Sequence, residues 1–124
     1  MVKEENEKIY DLEERTARFG EEIIEFCQKI PKNMITIPLI DQLIRSGTSI
    51  GSDYCEADCA ESRKDFEHKL GICKKEAKES KHWLRMIFKA VPELAERTSV
   101  LKNEANELQL IFISIIKKSK LNKV

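Results

Sequence analysis

Cys55 and Cys59, four residues apart, stand among Asp53, Glu56, Asp58 and Glu61, and no other stretch looks as much like a reactive centre. On an α-helix that spacing puts both sulfurs on one face, where they supply two ligands for a soft metal. The remaining ligands are absent from the pattern. Cys27, Cys73, His68 and His82 are scattered, with no second cysteine pair and no cysteine-histidine pair of the kind structural zinc sites use. A nucleophilic thiol needs a nearby cation or a helix N-terminus to favour its thiolate, and four neighbouring acids do the opposite. The thiols therefore read as buried or half-buried small apolar side chains, Cys73 most securely because it falls in a core repeat.

Carboxylate chemistry fails on a similar count. Helical bundles build di-metal centres from inward glutamates and two Glu-x-x-His pairs, and this chain has one such pair, Glu79 with His82. His68 and His82 share a helix face but sit about 21 Å apart along it, too far to share a metal or a proton. No catalytic residue, metal site or cofactor is expected. What remains of the stretch is steric: Ser46, Gly47, Ser49, Gly51, Ser52, Ala57 and Ala60 remove bulk from one helix. A glycine inside a helix costs about 1 kcal/mol relative to alanine, so Gly47 and Gly51, one turn apart, imply a compensating close approach by another backbone.

The elements that place these residues are helices. The 124-residue chain has three prolines, four glycines and 35% charged residues, a helical composition that fits one domain over residues 1–124. Ile9, Leu12, Thr16, Phe19, Ile23, Phe26 and Ile30 alternate steps of three and four, which keeps them on one face until Pro31 ends the helix. A second helix is predicted from Thr36, as N-cap, to about Ala60, with two stripes: Leu39, Leu43, Ser46, Ile50 and Ala57, and Ile40, Ile44, Gly47, Gly51 and Tyr54. Two stripes call for neighbours on two sides.

Ser62 and Asp65 fit a capping box for a third helix, along which Phe66, Leu70, Cys73, Ala77, Ser80, Leu84, Ile87 and Val91 form the cleanest heptad of the chain. A fourth begins between Pro92 and Thr98 and carries Leu101, Ala105, Leu108, Phe112 and Ile115, while Leu110, Ile111, Ile113 and Ile116 widen its apolar surface. The basic end, residues 117–124, is expected to fray. Short connections favour antiparallel neighbours, so the predicted fold is all-α, an antiparallel up-down-up-down four-helix bundle.

The N-terminal MVKEENEKIY is no secretory signal, and no run approaches the ~20 apolar residues of a membrane span, so a cytoplasmic protein with reduced thiols and no membrane partner is expected. Net charge is zero, but residues 1–60 carry 13 acids and 7 bases, and residues 61–124 carry 9 acids and 15 bases. Such a split holds antiparallel halves together or gives one surface a sign.

The stretch RSGTSIGSDYCEADCAESRKDFEHKLGICKKEAKESKHWLRMI resembles the four helix bundle proteins encoded by intervening sequences of bacterial 23S ribosomal RNA genes. The matching positions are Arg45, Ser46, Ser49, Ile50, Gly51, Glu56, Ala57, Lys64, Asp65, Phe66, Leu70, Glu76, Ala77, Glu79, Trp83 and Leu84, and the flanking helices fit as well. Asp53 stands where that family often has Asn, and Cys55 and Cys59 depart from its pattern. The resemblance implies a small cytoplasmic bacterial protein without a known enzymatic activity that assembles into a ring-like homopentamer. Accessory proteins of diversity-generating retroelements are similar in fold, and they bind nucleic acid and a reverse transcriptase.

Two functional readings follow. In the first the chain is a non-enzymatic, homo-oligomeric assembly module, with Ser46, Gly47, Ile50, Gly51, Tyr54 and Trp83 at helix and subunit contacts. In the second it binds RNA through the third helix, at Lys74, Lys75, Lys78, Lys81 and Arg85. Glu61, Glu67, Glu76 and Glu79 are interleaved with those cations and no aromatic platform accompanies them, which favours the assembly reading.

Overall fold

The alternating three and four spacing becomes four buried helix faces in the computed structural model, which describes residues 11–122. The helices are α1 (Leu12–Gln28), α2 (Thr36–Asp58), α3 (Arg63–Ala90) and α4 (Ala95–Leu121), with a 3-10 turn, Pro92–Leu94, ahead of the last. Consecutive helices pack side by side and α1 meets α4 only sparsely, so the up-down-up-down bundle is open along its α1/α4 seam. No strand occurs among the described residues.

From α1, Leu12, Thr16, Phe19, Ile23 and Phe26 are buried, and Ile30 just beyond it is buried too; Ile9, predicted on the same stripe, lies outside the described residues. The third-helix repeat is buried from Leu70 through Val91, with Phe66 half-buried at its start. Full burial of each Leu, Ile or Phe is worth roughly 1.5–3 kcal/mol, which is why the repeat rather than intrinsic propensity holds the helices in place.

Four boundary and burial expectations are corrected. Thr36 is not the N-cap of α2: Asn33 Oδ1 accepts from the backbone N–H groups of Ile35 and Thr36 at 2.8 and 2.9 Å, while the Thr36 hydroxyl donates to the Pro31 carbonyl. The second helix stops at Asp58 rather than Ala60. Over its described part the basic end does not fray at Lys117 but stays helical to Leu121, tied down where Ser119 donates to Glu67 at 2.6 Å and Arg63 donates to the Asn122 carbonyl at 2.9 Å, while Lys123 and Val124 lie outside the described residues. Cys55 and Cys59 are exposed, not buried, because they fall on the outer side of α2 and just past its end; Cys27 and Cys73 are the buried pair. Ser62 caps α3 as expected, its hydroxyl accepting from the Asp65 N–H at 3.0 Å.

Candidate functional site

Ser46, Gly47, Ile50 and Tyr54 are buried in the seams of this one chain, Gly51 is half-buried, and Trp83 is half-buried against the core. A Cβ on Gly47 would lie 2.9 Å from Ile23 Cγ1, and one on Gly51 would touch Thr16 at 3.5 Å, so both glycines serve the α1/α2 crossing. Gly20 completes it from the other side, where a Cβ would lie 3.5 Å from the Thr48 Cα. Ser46 faces the opposite neighbour: its Oγ lies 3.1 Å from that of Ser80, with both side chains fully buried between α2 and α3. The two stripes of α2 thus serve two flanking helices.

The exposed thiols have little chemistry around them. Cys55 and Cys59 line a small cleft with Glu13, Tyr54 and Asp58, and among the described residues no group of three or more His, Cys, Asp or Glu side chains is arranged to hold a metal ion. The buried thiols are inert for a different reason: desolvation pushes Cys27 up to about 11 and Cys73 up to about 12, so neither presents a thiolate at neutral pH.

Charge is sorted by helix. α1 carries five acids and two bases and α2 four acids and one base, whereas α3 carries nine bases against four acids and α4 five against three. Asp65 pairs with Lys69 of its own helix at 3.8 Å, but the other three acids of α3 are engaged away from the cations Lys78, Lys81 and Arg85. Glu76 and Glu79 turn toward α2, where Arg45 reaches them at 3.4 and 2.6 Å, and Glu67 is buried under Ser119. On α4, Glu104 and Glu107 turn toward α1 and grip Arg15, the guanidinium forking onto Glu104 at 2.7 and 2.9 Å and onto Glu107 at 2.8 Å. These hydrogen bonds raise Arg15 above its ordinary pKa.

With the acids drawn to the flanks, Lys78, Lys81, His82 and Arg85 of α3 meet Lys102, Asn103 and Asn106 of α4 around an open groove of about 410 Å³. None of its lining residues is acidic. Lys81 crosses the groove to donate to Asn106 Oδ1 at 2.9 Å, fixing its ammonium among the others. Lys74 and Lys75 lie further down α3, outside the groove; Lys74 continues the row Lys78, Lys81, Arg85, which covers about 17 Å of helix at 1.5 Å per residue. Among the described residues none of Lys74, Lys75, Lys78, Lys81 and Arg85 takes part in an ion pair.

Glu67, Glu76 and Glu79, interleaved with the cations in sequence, are therefore not interleaved with the groove cations in space, and they do not count against anion binding at this face. Sequence reasoning missed Lys102, His82, Asn103 and Asn106; pairing α3 against an antiparallel α4 is the step that would have found them. It also missed an aromatic. Phe88, 47% exposed, lies seven residues beyond Lys81 and so on the same side of α3.

Comparison with known proteins agrees with the fold. The 23S rRNA-intervening sequence protein family matches residues 8–114. A solved structure described as a protein of unknown function from the S23 ribosomal protein family of Bacteroides thetaiotaomicron is 32% identical, with a TM-score of 0.80, over 89% of this chain and 98% of that one. No curated protein matches the chain significantly. The chain belongs to the 23S rRNA-intervening sequence protein family.

Proposed function

We propose that this member of the 23S rRNA-intervening sequence protein family is a non-enzymatic binding module that holds nucleic acid on its α3/α4 face. The observation that carries the reading is the groove ringed by Lys78, Lys81, Arg85 and Lys102 with no acid in its lining. A phosphate backbone binds by displacing condensed counterions onto clustered cations, and it responds to local charge rather than to a net charge of zero. No helix among the described residues is long and apolar enough to cross a membrane, which fits a cytoplasmic setting as part of the same proposal.

The test is direct. Labelled RNA titrated with the full-length chain binds with an affinity that falls steeply as salt rises, and Lys78→Glu, Lys81→Glu and Arg85→Glu together abolish it while helicity and unfolding midpoint stay put. The sole tryptophan gives a second readout, because Trp83 packs edge-on against His82 with ring centroids 4.8 Å apart, and His82 lines the groove. Absence of any shift at low salt ends the proposal.

A second reading, self-association, is favoured by a different observation: Met34, Ile35 and Ile37, at the α1/α2 turn and the start of α2, are 89, 64 and 55% exposed. Such side chains gain by burial against another copy, and a homo-oligomer, a pentamer by family likeness, is part of this reading. Gly51 and Trp83 are the residues of the expected subunit contact that retain exposed surface for it. Sedimentation of the purified protein as a clean monomer at micromolar concentration removes this reading without touching the first.

A further inference from the structure

Phe88 bears on which kind of nucleic acid the face accepts. Most phenylalanines here are spent on the core: Phe19, Phe26 and Phe112 are fully buried and Phe66 is half-buried, but Phe88 leaves 47% of its surface in water. It stands about 10 Å along α3 from Lys81 and about 4.5 Å of rise beyond Arg85, at one end of the basic row. On α3 itself the exposed residues beside it, Arg85 and Lys89, are cations, so along its own helix the ring is an apolar plane next to positive charge.

We propose that Phe88 stacks an unpaired base while the phosphates that follow it run along Lys81, Arg85 and Lys102, which makes the ligand single-stranded rather than duplex nucleic acid. This rests on the proposed function and narrows it. Every base offers a π-face when unpaired, whereas a duplex keeps its faces in the stack and gives an isolated ring nothing to cover. A positive groove with an aromatic plane at its end is the usual composition of a single-strand site, sequence-tolerant because it reads backbone and ring rather than base edges. A second copy of this chain is the less suitable occupant, since a docked helix needs a contiguous apolar patch and the exposed α3 residues beside Phe88, Arg85 and Lys89, are charged.

Binding of the full-length protein is measured by anisotropy on three labelled probes: a short single strand, the same strand with abasic sugars, and a duplex of equal length. The single strand binds more tightly than the duplex. Phe88→Ala weakens its binding about ten-fold without changing the salt slope, and leaves the abasic strand unaffected. Phe88→Trp keeps wild-type affinity. The inference is overturned if Phe88→Ala changes nothing, if it weakens base-bearing and abasic strands alike, or if duplex binds as well as single strand. It is also overturned if the same substitution alters sedimentation while binding is untouched, which assigns the ring to a subunit contact. Failure of every probe to bind the wild-type protein removes the proposed function itself, a result distinct from these.

Discussion

The α1/α2 side of the bundle and the α3/α4 side differ in what they do with charge and with small residues. On α1/α2 the acids predominate and the glycines are consumed in a close helix crossing, Gly47 against Ile23 and Gly20 against Thr48. On α3/α4, Glu67, Glu76, Glu79, Glu104 and Glu107 are engaged along the flanks by Ser119, Arg45 and Arg15, and Lys78, Lys81, Arg85 and Lys102 converge on one groove. The lesson is that the stretch richest in chemistry-bearing residue types is a packing seam, while the proposed binding surface is built from ordinary lysines that only tertiary pairing brings together.

The contrast breaks most visibly under charge reversal. Turning Lys78, Lys81 and Arg85 into Glu is expected to weaken RNA binding by roughly two orders of magnitude or more at low salt, whereas Glu21→Lys with Glu25→Lys on α1 leaves it intact or slightly strengthened. A gain from the α1 reversals comparable to the loss from the α3 reversals would mean that overall charge, not the groove, binds the ligand.

Next in size is a pair of glycines. Gly47→Val drives two methyls into the fully buried Ile23 and is expected to cost about 3 kcal/mol in urea unfolding. Gly71, on α3, has open space within 4 Å of the point where a Cβ would stand, and Gly71→Ala is expected to add about 1 kcal/mol from helix propensity alone. A stabilised Gly47→Val would show that the α1/α2 crossing is not tight.

Much of this was legible in the sequence. The α3 heptad and the double stripe of α2 specify which faces are buried because helix geometry converts spacing directly into direction. Cys55 and Cys59 were misread because exposure at the tail of α2 depends on where the helix stops, and Asn33 replaced Thr36 as the cap because its carboxamide takes the Ile35 and Thr36 amides one turn earlier while the Thr36 hydroxyl is engaged by the Pro31 carbonyl. The groove was half legible: Lys78, Lys81 and Arg85 stood out on α3, but Lys102 and the flankward turn of Glu76 and Glu79 are set by neighbouring helices that a local pattern does not report.

A smaller effect sharpens the contrast at the open α1/α4 seam. Arg15→Gln removes the fork onto Glu104 and Glu107, which is partly exposed, so about 1 kcal/mol or less is expected at low salt, shrinking as sodium chloride is added. A loss that salt does not reduce would point to packing by the arginine stem instead.

The smallest effect is a pH dependence. Burial, and then the nearby Glu56 charge, hold the Asp53 carboxyl above its usual range. The folded chain therefore binds that proton more tightly than the unfolded chain, so this group's contribution is fully present below the ordinary carboxylate pKa and is lost as pH rises through the raised one. Asp53→Asn is expected to raise the thermal midpoint slightly at neutral pH, with the gain vanishing below about pH 4, where the carboxyl is protonated in both states. A gain that persists unchanged in acid would show that charge is not its origin.

Lysine reactivity toward an acylating reagent, read by mass spectrometry with and without saturating single-stranded RNA, tests the central claim most directly. Protection of Lys78, Lys81 and Lys102, with Lys29, Lys32 and Lys69 modified as before, is the predicted result. Protection spread evenly over the chain, or confined to the α1/α2 side, would contradict it.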